Sequence, residues 1–248
     1  MNTAPVYAIG DIHGHLDQLE HALSLIERDG GTEAKVVFLG DLVDRGPNSR
    51  GVIERLETGI HEGRNWVVLK GNHDAMFQAF LENGEVFHPR TRLGRSFVDN
   101  HIGGRATLHS YGVDVTLEDP QDLQAAALEH VPYRHLTFLR NLPLYHLSDD
   151  MLFVHAGLRP GIALELQDPE DFCWIRHEFL DHTAAHPWLV VHGHTAIMRA
   201  EHCGNRVNLD SGAGFERPIT AAAFEGGKVF ELGPFGRQRL EPLPEDVW

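Results

Sequence analysis

Short apolar runs recur along the chain, and most of them stop at a glycine beside Asp, Asn or His. "VYAIGD" (6–11), "KVVFLGD" (35–41) and "NWVVLKGNHD" (65–74) each begin as a β-branched strand and finish that way. "DMLFVHAG" (150–157) and "PWLVVHGHT" (187–195) repeat the device with histidine. Between the first runs lie helical patterns. In "HLDQLEHALSLIERDGG", Leu16, Leu19, Leu23 and Ile26 fall on one face before a Gly-Gly stop. "NSRGVIERLETGI" and "AMFQAFLENG" predict two further helices. "RVNLDSG" and "ITAAAFEGGKVFEL" read as strands, the latter a hairpin turning at Gly226-Gly227. Strands alternating with helices predict an α/β (α+β) layered fold. The region 84–148 is weaker in pattern, with helical stretches near 121–129 and 134–141. It is expected to be a cap or insertion over the strand ends within one domain spanning 1–248.

At 248 residues the chain is long enough for a substantial core. Its 36 acidic and 21 basic residues leave a formal charge of −15, which argues against nucleic acid or an anionic membrane as partner. A small anion at a local cationic site stays compatible with that charge. The two cysteines, Cys173 and Cys203, form no C-x-x-C pair, no apolar run reaches bilayer length, and the N-terminus lacks a signal-peptide pattern. A cytoplasmic protein is expected. Among the 18 histidines, His61, His88, His101 and His182 sit in polar surroundings and are expected at the surface.

The chemistry is concentrated at the strand ends: "GDIHG" (10–14), "GDLVDRG" (40–46), "GNHD" (71–74), "VHAG" (154–157) and "HGHT" (192–195). Side chains two apart in an extended segment face the same way, so Asp11 and His13 can converge on one cation. Asp41 is placed to bridge, and Asn72, His155 and His194 can complete a second site. Six mixed oxygen and nitrogen ligands suit two divalent ions sharing a bridge, the arrangement of a two-metal hydrolase. His192 competes with His194, and Asp74 reads as a helix N-cap or a group behind the ligands. "DSGA" (210–213) also raises a retroviral-type aspartic protease, which would need a homodimer and leaves the five strand-end motifs unexplained.

The ordered set D-x-H, G-D-x-x-D-R-G, G-N-H-D, H-A-G and G-H resembles the calcineurin-like metallophosphoesterase superfamily. The "DRG" form resembles its phosphoprotein phosphatase family, small bacterial and phage type. The resemblance implies a central β-sandwich flanked by helices, with two metals at the carboxyl ends of its strands. Manganese is the expected ion, with iron, zinc or nickel as alternatives. Asp11, His13 and Asp41 match one metal's ligands, and Asp41, Asn72, His155 and His194 the other's. His73 matches the acid that protonates the leaving oxygen, Asp44 the carboxylate that orients it, and Arg45 and Arg176 the phosphate clamps.

The implied activity is phosphomonoester hydrolysis by a metal-bridging hydroxide, as in a bacterial serine/threonine or dual-specificity protein phosphatase. The alternative is symmetrical diadenosine tetraphosphate hydrolysis, whose enzymes commonly have a small residue where Asp44 stands here. The expected partner is therefore a phosphorylated protein or a small phosphate ester, with no obligate regulatory subunit.

Overall fold

The computed structural model describes residues 4–92 and 94–244. In chain order the first half runs β1 (Val6–Ile9), α1 (Leu16–Gly30), β2 (Lys35–Phe38), α2 (Ser49–His61), β3 (Trp66–Val68) and α3 (Asn72–Asn83). Three helices follow, α4 (Gly104–Ser110), α5 (Pro120–His130) and α6 (Tyr133–Arg140). The second half comprises β4 (Tyr145–Ser148), β5 (Met151–Val154), α7 (Asp171–Trp174), α8 (His177–Leu180), β6 (Leu189–His192), β7 (Glu201–His202) and β8 (Arg206–Asn208). The meander β9 (Ala221–Glu225), β10 (Lys228–Gly233) and β11 (Gly236–Leu240) closes the described chain.

Two sheets form. One has six strands in the order β11-β10-β9-β1-β2-β3, the other five in the order β4-β5-β6-β8-β7. The strands have little alternation in the sequence because both faces of each sheet are covered. Val6, Ala8, Val37, Phe153, Val191 and Phe224 fill the layer between the sheets. The neighbours of opposite parity, Tyr7, Ile9, Val36 and Phe38, pack on α1, α2 and α3. On the far side, Leu152, Val154 and Val190 pack on Phe172, Ile175 and Phe179. The result is the helix-flanked β-sandwich expected from the strand-end motifs.

Residues 104–140 supply α4, α5 and α6, whose Leu108, Leu123 and Leu139 join the core that α1 to α3 build on the first sheet. The segment therefore contributes packed apolar mass, and α4 had no detectable pattern in the sequence. The third strand is shorter than its motif suggested: it stops at Val68, and Asn72 and His73 lie in the first turn of α3. The cause is Asp74, whose carboxylate accepts the Gly71 N–H (2.9 Å) and the Leu42 N–H (2.9 Å) and so caps the helix early. Two histidines expected at the surface are half-buried: His88 stacks on Trp174 with ring centroids 4.3 Å apart, and His182 lies against His186.

The parallel core strands β1, β2 and β3 in one sheet, and β5, β6 and β8 in the other, all point their carboxyl ends to the same side. Phe153 is fully buried between the sheets, edge-on to Phe224 at 5.8 Å. Phe153→Ala should destabilise the fold by about 3–5 kcal/mol in denaturant titrations. A loss below about 1 kcal/mol would show that the layer between the sheets is not the main core.

Candidate metal centre and phosphate cleft

Where those strand ends meet, a cavity of about 440 Å³ opens. Eight of the ten residues singled out from the sequence line it: Asp11, His13, Asp41, Arg45, Asn72, His73, Arg176 and His194. The other two, Asp44 and His155, sit directly behind it and are fully buried. The parallel register His192↔Asn208 brings His194 and Asp210 to the same level beyond the second sheet.

The loops are held in conformations that side chains usually avoid. Among the described residues, five of the seven non-glycine residues with positive φ are His13, Asp41, Asp44, Arg45 and His194. Each such residue costs on the order of 1–3 kcal/mol, tolerated only where the surroundings fix it. Glycine makes the crowding possible. A Cβ on Gly193 would lie 2.0 Å from Asp11 Oδ1, and one on Gly71 would lie 2.2 Å from Asp41 Oδ1.

The imidazoles identify what the cleft is built to hold. His13 Nδ1 lies 2.9 Å from the Val43 carbonyl and His155 Nδ1 lies 2.8 Å from the Leu39 carbonyl. A carbonyl can only accept, so both rings carry their proton on Nδ1 and present a bare Nε2. His155 Nε2 then faces two further acceptors, Asn72 Oδ1 at 3.0 Å and Asp41 Oδ1 at 3.4 Å. Burial, the largest effect on each ring, lowers the pKa of His13, His155 and His194 and keeps these rings neutral. His194 contributes Nδ1, 2.8 Å from Asn72 Oδ1, and leaves a buried Nε2 without a partner. Lone pairs converging on oxygen acceptors are reconciled by a cation, so the donor set fits a divalent metal.

Among the described residues, two compact groups of ligand atoms are present, Asp41 with His155 and His194, and Asp41 with His13 and His73. Asp41 is common to both, as a bridging ligand requires. Burial opposes its ionisation, yet the surrounding imidazoles hold its carboxyl well below the usual range. Asp11, expected beside His13 and Asp41, belongs to neither group, and His73 stands in its place. Its oxygens accept the His194 N–H at 3.2 and 3.3 Å, and burial, then Asp210 and Asp41, raise its pKa well above normal.

His73 is held differently from the other rings. Its Nδ1 donates to Asp44 Oδ2 at 2.7 Å, while its Nε2 faces Arg45 Nη2 at 3.2 Å. The other arm of the same guanidinium reaches His13 Nε2 at 3.3 Å. Arg45 thus places a positive charge between two bare ring nitrogens. Arg176 is anchored through Nη1 to Thr195 Oγ1 at 2.9 Å. His192 turns away from the cleft: its ring is buried edge-on to Phe179, on the outer face of the second sheet.

Sequence reasoning missed the groups behind Asp44. Thr107 donates to Asp44 Oδ1 at 2.7 Å, and the Asp44 N–H is taken up by Thr107 Oγ1 and Ser49 Oγ. It also undervalued Asp210, buried in the same cavity as Asp11 and Asp41, its pKa raised to about 6, chiefly by burial. That setting removes the basis for an aspartic protease, because the "DSGA" aspartate already has two carboxylate neighbours from its own chain.

Residues 4–213 match the family model for calcineurin-like phosphoesterases. The chain belongs to that family. Similar known proteins include the bis(5'-nucleosyl)-tetraphosphatase PrpE [asymmetrical] of Bacillus thuringiensis (strain Al Hakam), 24% identical over 265 residues, covering 95% of this chain and 98% of the relative. The protein of the same name from Oceanobacillus iheyensis is 23% identical, covering 87% of each chain. Among solved structures, a candidate diadenosine tetraphosphatase superposes with a TM-score of 0.65 at 23% identity, over 93% of each chain. A cold-active protein-tyrosine phosphatase of a Shewanella species superposes at 0.62 with 16% identity, over 96% of this chain and 80% of that one. These superpositions establish a shared fold. Among the described residues, no helix is long and apolar enough to cross a membrane.

Two expectations follow for this calcineurin-like phosphoesterase. Asp41→Asn should lower metal content at both positions; retention of two equivalents by elemental analysis would exclude the shared ligand. Burial raises the Asp44 pKa and the Thr107 hydroxyl opposes that rise. Thr107→Val should therefore raise it further and move the acid limb of the kcat/KM profile to higher pH. An unmoved limb would show that Asp44 ionisation does not govern activity.

Proposed function

We propose that the chain is a divalent-metal-dependent hydrolase of small nucleotide polyphosphates, with a dinucleoside tetraphosphate as the leading substrate. The observation that carries the phosphoryl chemistry is Asp41, common to two buried ligand groups facing the cavity that also holds His73 and Arg45. The nucleotide is favoured by the relatives named bis(5'-nucleosyl)-tetraphosphatases, which align over nearly the whole chain. That reverses the order of the two substrates expected from the sequence, where Asp44 put a phosphoprotein first. A second reading, hydrolysis of a phosphomonoester on a protein, keeps the support of the Asp44–His73 pair, since a poor leaving group gains most from protonation.

Asp11, His13 and Asp41 would hold one ion and Asp41, Asn72, His155 and His194 the other, with manganese the expected species. When bound, the ions would supply Lewis acidity and neutralise charge on the transferring phosphoryl group. The remaining roles belong to the protein. Asp44 accepts the His73 Nδ1 proton and orients the ring; once Arg45 turns from Nε2 to the substrate phosphate, Nε2 would take up a proton from solvent and pass it to the departing oxygen. Arg45, now spanning His13 and His73, has the planar fork that matches two phosphoryl oxygens. Arg176 offers a second fork from the N-terminus of α8.

The decisive comparison supplies manganese and offers diadenosine tetraphosphate, a phosphoserine peptide and a phosphotyrosine peptide side by side. Preference for the dinucleotide is expected, and ATP plus AMP against two ADP distinguishes asymmetrical from symmetrical cleavage. Preference for either peptide would overturn the reading. His73→Asn should cost about 100- to 10,000-fold in kcat with metal content unchanged. Full turnover in that variant would remove the acid from His73.

A further inference from the structure

The metal cleft is continuous with a second, larger cavity of about 870 Å³. The two share Arg45, Asn72, His73, Arg176, His194 and Phe215 along their common border. Beyond that border the larger space is lined by Arg90, Arg92, Arg95 and Arg159, with Trp174 and Phe215 presenting aromatic surface. In a chain of formal charge −15, this is a local reversal of sign.

The four outer arginines divide into two kinds. Arg90 is a staple: its guanidinium meets Glu170 Oε2 (2.9 Å), Asp171 Oδ1 (2.6 Å) and Asp168 Oδ2 (3.2 Å). Arg159 is likewise paired with Asp171 and Glu178. Arg92 and Arg95, carried on the loop that Arg90 pins down, have no carboxylate partner among the described residues. A pinned loop presenting unneutralised guanidinium groups to a cavity is a phosphate-binding arrangement. Phe215 is 61% exposed on the shared border, with the guanidinium carbons of Arg45 and Arg217 lying over its ring at 5.1 and 5.5 Å from the centroid. It offers a stacking face beside the phosphate groups.

We infer that this annex binds the distal part of the substrate, Arg92 and Arg95 taking the phosphates beyond the scissile one and Phe215 stacking the base. The inference rests on the nucleotide-polyphosphate reading, and it makes Arg92 and Arg95 determinants of specificity. A metal cleft alone receives one phosphoryl group; the annex has room for a nucleotide.

The test uses inhibition of p-nitrophenyl phosphate hydrolysis in the manganese-loaded protein. Inhibition constants are measured for inorganic tripolyphosphate, diadenosine tetraphosphate and orthophosphate. In the R92Q/R95Q double variant the first two should weaken by roughly tenfold or more and the third by less than about twofold, because orthophosphate needs only the clamp at the metals. The charge-preserving R92K/R95K variant should recover most of the loss, and Phe215→Leu should weaken the dinucleotide but not tripolyphosphate. Equal weakening of all three inhibitors, or none, would overturn the annex. Turnover is a separate readout: a dinucleotide that binds through the annex but is not cleaved would remove the proposed substrate and leave the annex standing.

Discussion

Three carboxylates, Asp11, Asp41 and Asp210, are buried within one cavity, and the rest of the site follows from the cost of putting them there. Like charges in a low-dielectric interior repel strongly and tend to take up protons, as the raised pKa of Asp11 and of Asp210 indicates. The imidazoles stabilise the Asp41 carboxylate, but His13 and His155 spend their Nδ1 protons on backbone carbonyls and turn Nε2 lone pairs inward. The compensating charge has to be cationic. Some comes from Arg45, wedged between His13 and His73, and the ligand geometry around Asp41 asks for more.

The same requirement explains the backbone. Carboxylates and imidazoles from six strand ends converge only if the loops turn sharply as they leave the sheets. His13, Asp41, Asp44, Arg45 and His194 therefore adopt positive φ without being glycine. The rigid two-sheet core absorbs that strain. Its layers bury Phe38, Phe153 and Val191 completely, so the strand ends cannot relax apart without opening the core.

Much of this was legible in the sequence because each candidate ligand lies within a few residues of a strand, and strands announce themselves by apolar runs. Asp11, Asp41 and His155 stood out by that signal alone, whereas His194 still competed with His192 two positions earlier. The helical start of α3 was placed too late: Asp74 reads as the N-cap, whereas it is the third helical residue and its carboxylate accepts the N–H of Gly71, the true N-cap. Thr107 was invisible because its link to Asp44 spans 63 positions, and α4, which carries it, shows no periodicity of its own. Asp210 was visible but ambiguous, because "DSGA" is a plausible turn wherever it occurs. The weighting of Asp44 toward phosphoproteins treated one carboxylate as a substrate label, although it contacts His73 and Thr107 and lies outside the cavity lining.

Charge also explains why the cleft and its annex belong together. A chain at −15 repels polyphosphate at long range, but that repulsion is screened within roughly 10 Å at ordinary ionic strength. Inside that distance the local field decides, and along the cavity border it is set by Arg45 and Arg176, continued outward by Arg92 and Arg95. Arg90 and Arg159, outnumbered by Asp168, Glu170, Asp171 and Glu178, add architecture and no positive charge of their own to the field. A substrate with one phosphate gains only from the inner pair. One with several phosphates in a row would gain from both, and on the proposed reading this difference in electrostatic reach tells the two apart.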